Sequence, residues 1–358
     1  VPGEAGATAG EVRVVDGVEV KTIPRGRGRA ERFVLTAFRA FRAALQERAD
    51  LYHFHDPDLV PWGLALKALT GKPVVYDVHE PYTASIMARP YLPKPLRPVV
   101  AAAYGGLEAL ARRAFAFVIA ERYYARWLPD AVPVLNYPRL DEFERLRRIE
   151  RRPPADGRIR LLYTGNLHLD RGALTYADLL ARLPEAGVPQ IGYTPAAVAE
   201  AVRARAADPA RLRLEGVDRH VPHERLVAAY AEPWTAGLGL LFDLPKYRDK
   251  EPTKFFEYMA AGLPVIATRT PVWRELVEGT GAGLCVSPDD LDEVVAALRS
   301  LRDDPARARA MGEAGRRVVV ERFGWAGQAE NLLALYRRLL PGWTPPARGL
   351  AAPAPAAS

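Results

Sequence analysis

Asp249, Glu251 and Glu257 stand within nine residues of one another, with Thr253 and Lys254 between the last two. Carboxylates accept hydrogen bonds from hydroxyls and an ammonium neutralises phosphate, so this set suits a ligand that carries both groups. A nucleotide sugar is such a ligand. The same run, Asp249-Lys-Glu-Pro-Thr-Lys-Phe-Phe-Glu257 followed by Tyr-Met-Ala-Ala-Gly262-Leu-Pro-Val-Ile-Ala267, carries its own folding signals. Pro252 can begin a helix, Phe255, Phe256 and Met259 follow at helical spacing, and Gly262 with Pro264 stops it. Leu263 to Ala267 then reads as a buried strand. The acids therefore flank a helix N-terminus, whose free N–H groups favour anions. One carboxylate would suffice for an ordinary solvated helix start.

The two acids with seven residues between them, and the apolar run that follows, resemble the paired-acid signature of family 4 glycosyltransferases, retaining enzymes of GT-B architecture that need no essential metal. The resemblance implies that Glu257 holds the donor's ribose hydroxyls and Asp249 the transferred sugar. The family usually has Glu at the first acid, and Glu251 is the alternative bearer of that role. Tyr163-Thr-Gly165-Asn166-Leu-His-Leu-Asp-Arg171-Gly172 is similar to the first loop of the family's donor domain, where glycine admits a diphosphate and two cations clamp it. Asn166 occupies the first cation position and Arg171 the second, so Lys254 is the candidate for the missing charge. A departing diphosphate needs cations because negative charge builds on its oxygens as the glycosidic bond breaks. His79 matches a histidine that faces the donor sugar, which implies a hydrogen bond to the sugar or its phosphate near the reacting carbon.

His53-Phe-His55-Asp56-Pro-Asp58 places two imidazoles on one face of a strand, a spacing that zinc could use. The other histidines, His79, His168, His220 and His223, form no ligand pattern, so no metal is expected. His55 and Asp56 are assigned to the acceptor side and His53 to the core. There is no Gly-x-Gly-x-x-Gly after a strand, no phosphate-binding Gly-Lys-Ser/Thr loop and no Gly-x-Ser-x-Gly elbow, which leaves nicotinamide, P-loop and serine-hydrolase chemistry unsupported.

These residues need a scaffold of alternating strands and helices. Glu11 to Ile23 reads as a hairpin about Asp16-Gly17. Arg25 to Arg29 leads into a basic amphipathic helix over 30–48, with Phe33, Phe38, Phe41 and Leu45 on one side. It packs on the sheet in the favoured reading and lies on an anionic membrane in the other. Strands follow at 51–56, 73–80, 115–120 and 132–135, with helices to 70 and over 99–114, and a proline-rich loop over 81–98. The charged stretch 141–156 reads as a linker. A second series begins with the run from Ile159 to Gly172 and continues with strands at 190–193, 212–215, 236–241, 263–268 and 283–286. This rhythm predicts an α/β protein with parallel sheets covered on both faces. The resemblance implies two Rossmann-like domains facing a cleft, at 1–150 for the acceptor and 151–325 for the donor. It also implies a helix at 326–340 crossing back, before a disordered tail at 341–358. The family's first strand, glycine turn and helix have no counterpart after Val1; either the chain is a fragment or its first domain lacks that unit.

With 358 residues, 49% of them hydrophobic, the chain is long enough for two cores. No apolar run reaches a membrane-spanning length and no secretory leader opens the chain, so a cytoplasmic protein is expected, with peripheral membrane contact as the alternative. Cys285 has no partner for an internal disulfide. The net charge of +7 favours anionic partners. No aromatics interleave the arginine run of the 141–156 stretch, so nucleic acid is not expected. The partners implied are a nucleotide-sugar donor and a hydroxyl acceptor: a glycan, a lipid-linked sugar or a small molecule. The activity implied is sugar transfer in polysaccharide, glycolipid or glycoconjugate synthesis. The competing readings are a GT-B nucleotide-sugar epimerase or hydrolase, and a binding protein that has lost turnover.

Overall fold

A computed structural model describes residues 10–15, 17–24, 28, 31–89, 92–147, 154 and 156–345. The described residues up to Leu135 form one compact unit together with those from Ala329 onward, and Asn136–Gln328 form a second. Arg25 to Arg27, Arg29, the linker residues 148–153 and the tail from 346 lie outside the described residues.

In the first unit β1 (Val12–Val15) and β2 (Val18–Lys21) pair antiparallel with Val15 opposite Val18. The loop between them is therefore two residues long, and Gly17 takes φ +82° there, as the Asp-Gly pair predicts; Asp16 itself is outside the described residues. Four parallel strands follow in the order β3 (Tyr52–Phe54), β4 (Val74–Val78), β5 (Ala116–Ile119) and β6 (Val132–Pro133). Tyr52, Val74, Tyr76, Val78, Phe117 and Ile119 build the core on one face of this sheet. The basic helix begins as a π-turn over Arg32–Thr36 and becomes regular at Ala37–Glu47. Its Phe41 and Leu45 pack against the core, while Val34 and Leu35 stay exposed. Phe38 and Phe41 close on Trp62 with centroids 5.2 and 5.1 Å away.

The stretch 81–98 is not a continuous loop. Tyr82–Ala88 is helical, because Pro81 precedes the first turn, where a missing N–H costs nothing. The region 141–156 also departs from a solvated linker. Phe143 and Leu146 are buried, the Phe143 ring lies 5.6 Å from that of Tyr230, and the Leu146 carbonyl accepts from Arg316 at 2.9 Å. These anchors tie the described part of the stretch to the second unit.

The second unit holds a six-stranded parallel sheet of β7 (Ile159–Thr164), β8 (Ala186–Thr194), β9 (Leu212–Val217), β10 (Ala236–Gly239), β11 (Val265–Thr268) and β12 (Gly283–Val286). Their spatial order is β9-β8-β7-β10-β11-β12. Counted from β7 this is 3-2-1-4-5-6, the dinucleotide-fold order, in which the chain reverses direction across the sheet between the first and fourth strands. Ligands of such sheets gather beyond the carboxyl ends of those two strands. The loops in question are 165–172 after β7 and 240–252 after β10. Among the described residues, no helix is long and apolar enough to cross a membrane.

Candidate functional site

The loop after β7 is shaped by glycines. Gly165 has φ +89°, its N–H donates to the Ile191 carbonyl at 2.9 Å, and its own carbonyl accepts from Gln190 Nε2 at 3.0 Å. Gly172 has φ +80° and leads directly into helix Ala173–Arg182. A Cβ built there would lie 2.1 Å from the Leu240 carbonyl oxygen, so this glycine is what lets the loops after β7 and β10 touch. Gly172→Ala is expected to destabilise the second unit by about 2–4 kcal/mol, through the left-handed backbone and the clash together. A lower urea midpoint at unchanged slope is the expected reading.

Arg171 is held along this loop. Its Nη1 donates to the Asn166 carbonyl at 3.2 Å, its Nε to the Tyr247 hydroxyl at 3.4 Å, and the Tyr247 hydroxyl donates to Asp170 Oδ2 at 3.1 Å. The Asn166 carbonyl also accepts from the Tyr163 hydroxyl at 3.0 Å. Tyr247 belongs to the short helix Pro245–Arg248, and Asp249 caps the end of that helix. Between Asp249 and Glu251 the Lys250 carbonyl accepts from Trp273 Nε1 at 2.6 Å, which pins the acidic loop to the core. Both carboxylates are half-buried.

Helix Thr253–Ala261 opens after Pro252 and ends at Gly262, whose φ of +72° makes the left-handed cap. Thr253 is exposed at its start. Lys254 reaches back under the loop. Its Nζ sits 3.5 Å from the centroid of the Tyr163 ring and would lie 3.9 Å from a Cβ on Gly165. That nitrogen is buried without a hydrogen-bond partner. Burial, reinforced by the nearby Arg171 charge, holds its pKa well below the ordinary lysine value. One turn further along the helix, Glu257 Oε2 accepts from the Tyr230 hydroxyl at 2.6 Å. Burial pushes the Glu257 carboxyl up, against the opposing pull of that hydrogen bond and of Lys254. The second unit therefore brings Gly165, Arg171, Lys254 and Glu257 to one edge of its sheet.

The first unit has a separate cluster. The β3–β4 register pairs His53 with Val75 and Phe54 with Tyr76, so one further step sets His55 across from Asp77. Alternation then puts His53, His55, Asp77 and His79 on the face opposite the Phe54–Tyr76 stack. Asp77 is only 8% exposed, and its Oδ2 lies 3.0 Å from His55 Nδ1 and 3.3 Å from His79 Nε2. Burial opposes ionisation of Asp77, but hydrogen bonds from His55 and His79 outweigh it and keep the carboxyl well below the usual range. The hydrogen bond to Asp77 holds the His79 pKa up, with Asp56 among the smaller contributors. His53 goes the other way: burial, then the His55 charge, push it down to about 4. Its Nδ1 is 2.6 Å from the Tyr336 hydroxyl on helix Trp325–Leu339. Asp56 is exposed at the head of the turn Pro57–Leu59.

His53 is thus part of this cluster and not simply a core residue. Asp77, Tyr230, Tyr247 and Tyr336 join these clusters without having been expected there from sequence pattern. For Asp77 a signal exists: it is the one charged residue in the otherwise apolar, fully buried strand Val74-Val-Tyr-Asp-Val78. A buried carboxylate needs partners, and its parity with His79 and the two strand histidines names them.

Two parallel α/β units, the second with the dinucleotide-fold strand order and glycine-shaped loops beside Arg171 and Lys254 at its switch point, make up the GT-B architecture. A family model described as Glycosyltransferase Family 4 matches residues 1–162, and one described as Glycosyl transferase-like matches 193–334. The MMP alpha-(1->4)-mannosyltransferase of Mycolicibacterium hassiacum is 27% identical over 334 residues, 85% of this chain and 74% of that protein. Sucrose-phosphate synthase from Thermosynechococcus elongatus superposes with a TM-score of 0.69 at 19% identity, over 94% of this chain and 87% of the other. HepE of Anabaena in complex with UDP-glucose does so with 0.64 at 13% identity, over 88% and 86%. Together these matches support a glycosyltransferase of family 4 and GT-B type. The protein is a glycosyltransferase that takes sugar from a nucleotide-sugar donor.

Proposed function

We propose that the protein transfers a hexose from a nucleoside-diphosphate sugar to a hydroxyl acceptor with retention of configuration, in glycan, glycolipid or glycoconjugate synthesis, without an essential metal. The observation that carries this reading is Lys254: a buried ammonium with no hydrogen-bond partner, set against the Gly165 loop at the switch point of a dinucleotide-type sheet. A buried cation of this kind is costly unless an anion meets it, and a diphosphate supplies one. Arg171 is the second cation of the clamp. Gly165 and Asn166 line the approach of the diphosphate, and Thr253 offers a hydroxyl and a free helix N–H to it. Glu257 accepts from the ribose hydroxyls, and Asp249, or Glu251 two residues on, from those of the sugar. His79 hydrogen-bonds the donor near the reacting carbon, and the leaving phosphate takes the acceptor's proton. His55 and Asp56 belong to the acceptor side. The exposed Val34 and Leu35 on the basic helix give this reading a peripheral membrane contact, suited to a lipid-linked acceptor.

A thermal-shift panel of UDP, GDP, ADP, CMP and their sugars tests the donor assignment, since a ligand that binds the native state raises the midpoint by mass action. One nucleotide should give a shift that is lost in Glu257→Ala. The mannosyl specificity in the name of the Mycolicibacterium relative makes GDP-mannose the first sugar donor to try. Donor turnover without any acceptor would instead favour an epimerase or hydrolase, and no shift with any nucleotide would overturn the donor site.

A further inference from the structure

We infer that His53, His55, Asp77 and His79 form a binding site for a divalent transition-metal ion of the zinc class. The argument is geometric. Zinc–nitrogen bonds of about 2.0–2.1 Å in a tetrahedron place neighbouring ligand atoms roughly 3.3 Å apart. His55 Nδ1 to Asp77 Oδ2 is 3.0 Å, His79 Nε2 to Asp77 Oδ2 is 3.3 Å, and His55 Nδ1 to His79 Nε2 is 3.2 Å. His53 Nε2 to Asp77 Oδ2 is 3.9 Å. The three distances among His55, His79 and Asp77 thus match one face of the tetrahedron, and the His53 ring must approach from beyond an edge length to supply the fourth ligand. One ligand atom from each of His53, His55 and Asp77 lies within 4.8 Å of the others.

Hydrogen bonding alone leaves this cluster incomplete. His53 Nε2 and Asp77 Oδ1 are both buried and have no hydrogen-bond partner. A buried imidazole nitrogen aimed at a carboxylate, without a hydrogen bond between them, is what a ligand awaiting a cation looks like. Tyr336 completes the design. Its hydroxyl oxygen, 2.6 Å from His53 Nδ1, can accept a hydrogen bond from that nitrogen in the tautomer that leaves Nε2 bare, the form that metal binding selects. The His53 and His55 rings are stacked with centroids 5.0 Å apart, so each limits the other's rotation. Three imidazoles and one carboxylate favour zinc, cobalt or nickel over magnesium or calcium, which prefer all-oxygen sets. Bound metal would occupy the nitrogen lone pairs that the sugar-transfer reading gives to His55 and His79, so there it acts against transfer. The binding test does not depend on that reading.

The full chain, stripped with a chelator and dialysed, is titrated with Zn²⁺ against a chromophoric indicator, and separately with Co²⁺. One Zn²⁺ per chain is expected at this site, together with the intense visible absorption of four-coordinate Co²⁺. Asp77→Asn with His53→Gln should weaken binding by about 100-fold or more, and Tyr336→Phe, which touches no metal, by roughly 10-fold. His220→Gln with His223→Gln should leave it unchanged. Because Asp77 is buried, circular dichroism accompanies that variant, and the Co²⁺ spectrum of the unaltered chain provides a readout that needs no substitution. Zinc uptake equal in the unaltered chain and the Asp77/His53 variant, or a weak six-coordinate Co²⁺ spectrum, would overturn the site.

Discussion

Lys254→Met is expected to make the unliganded protein more stable and, at the same time, to weaken nucleoside-diphosphate binding by roughly 30–100-fold. The two effects have one cause. The Lys254 ammonium is buried with no hydrogen-bond partner, and the Tyr163 ring face at 3.5 Å returns only part of its lost hydration. Its folded-state pKa lies below the ordinary 10.5, so between those two values the unfolded chain binds the proton more firmly than the folded one. Stability therefore rises with pH through that window and is lowest below the folded-state value. Methionine keeps the length and apolar stem but removes the charge, so a gain of about 1–2 kcal/mol at neutral pH is expected, shrinking as pH approaches 10.5. Binding moves the other way because a charge-assisted hydrogen bond to phosphate, worth about 2–3 kcal/mol, is lost. Melting midpoints at two pH values and nucleotide titrations of both proteins check this. A variant that is less stable and binds as tightly as before would sink the role given to Lys254.

The sequence carried most of the second unit's loop and helix and less of the rest, for reasons that differ by residue. The helix Thr253–Ala261 is legible because Pro252, the apolar spacing and Gly262 all act within a dozen residues, and the structure changes only its first residue. The strand Gly283–Val286 is equally local. The position of Lys254 beneath Gly165 is not local, since it depends on how β7 and β10 are paired, and only the family resemblance suggested it. Asp77 is legible as a lone acid in an apolar strand, but its distance to His55 follows only from the register that sets the two opposite each other. Tyr336 reaches His53 across 283 residues of sequence, a contact that no window of local pattern contains. The prolines between 81 and 98 misled in another way. They mark helix starts as readily as loops, and Pro81, Pro95 and Pro98 all sit at or beside the first turn of a helical segment.

Glu257→Gln is expected to weaken nucleoside-diphosphate binding by roughly 10–100-fold while leaving the affinity for the matching 2′,3′-dideoxy nucleotide unchanged. Glutamine preserves the side-chain volume and an oxygen that can still accept from the Tyr230 hydroxyl, now 2.6 Å from Glu257 Oε2, so the network through Tyr230 and Thr164 survives. What it removes is charge. Two ribose hydroxyls donating to a carboxylate make charge-assisted hydrogen bonds, each about twice as strong as its neutral counterpart. Glu257→Ala should lose more, about 100-fold or beyond, because it also strands the buried Tyr230 hydroxyl, and a fall in melting midpoint should accompany it. The dideoxy ligand separates the two contributions. It lacks the hydroxyls that Glu257 is proposed to hold, so its affinity should report the diphosphate clamp of Arg171 and Lys254 alone. Calorimetric titration of the two nucleotides against the wild-type and glutamine proteins forms a closed cycle whose coupling measures the ribose contact directly. A glutamine variant that loses affinity equally for both ligands would mean that Glu257 acts through the shape or charge of the crevice, and the ribose assignment would be withdrawn.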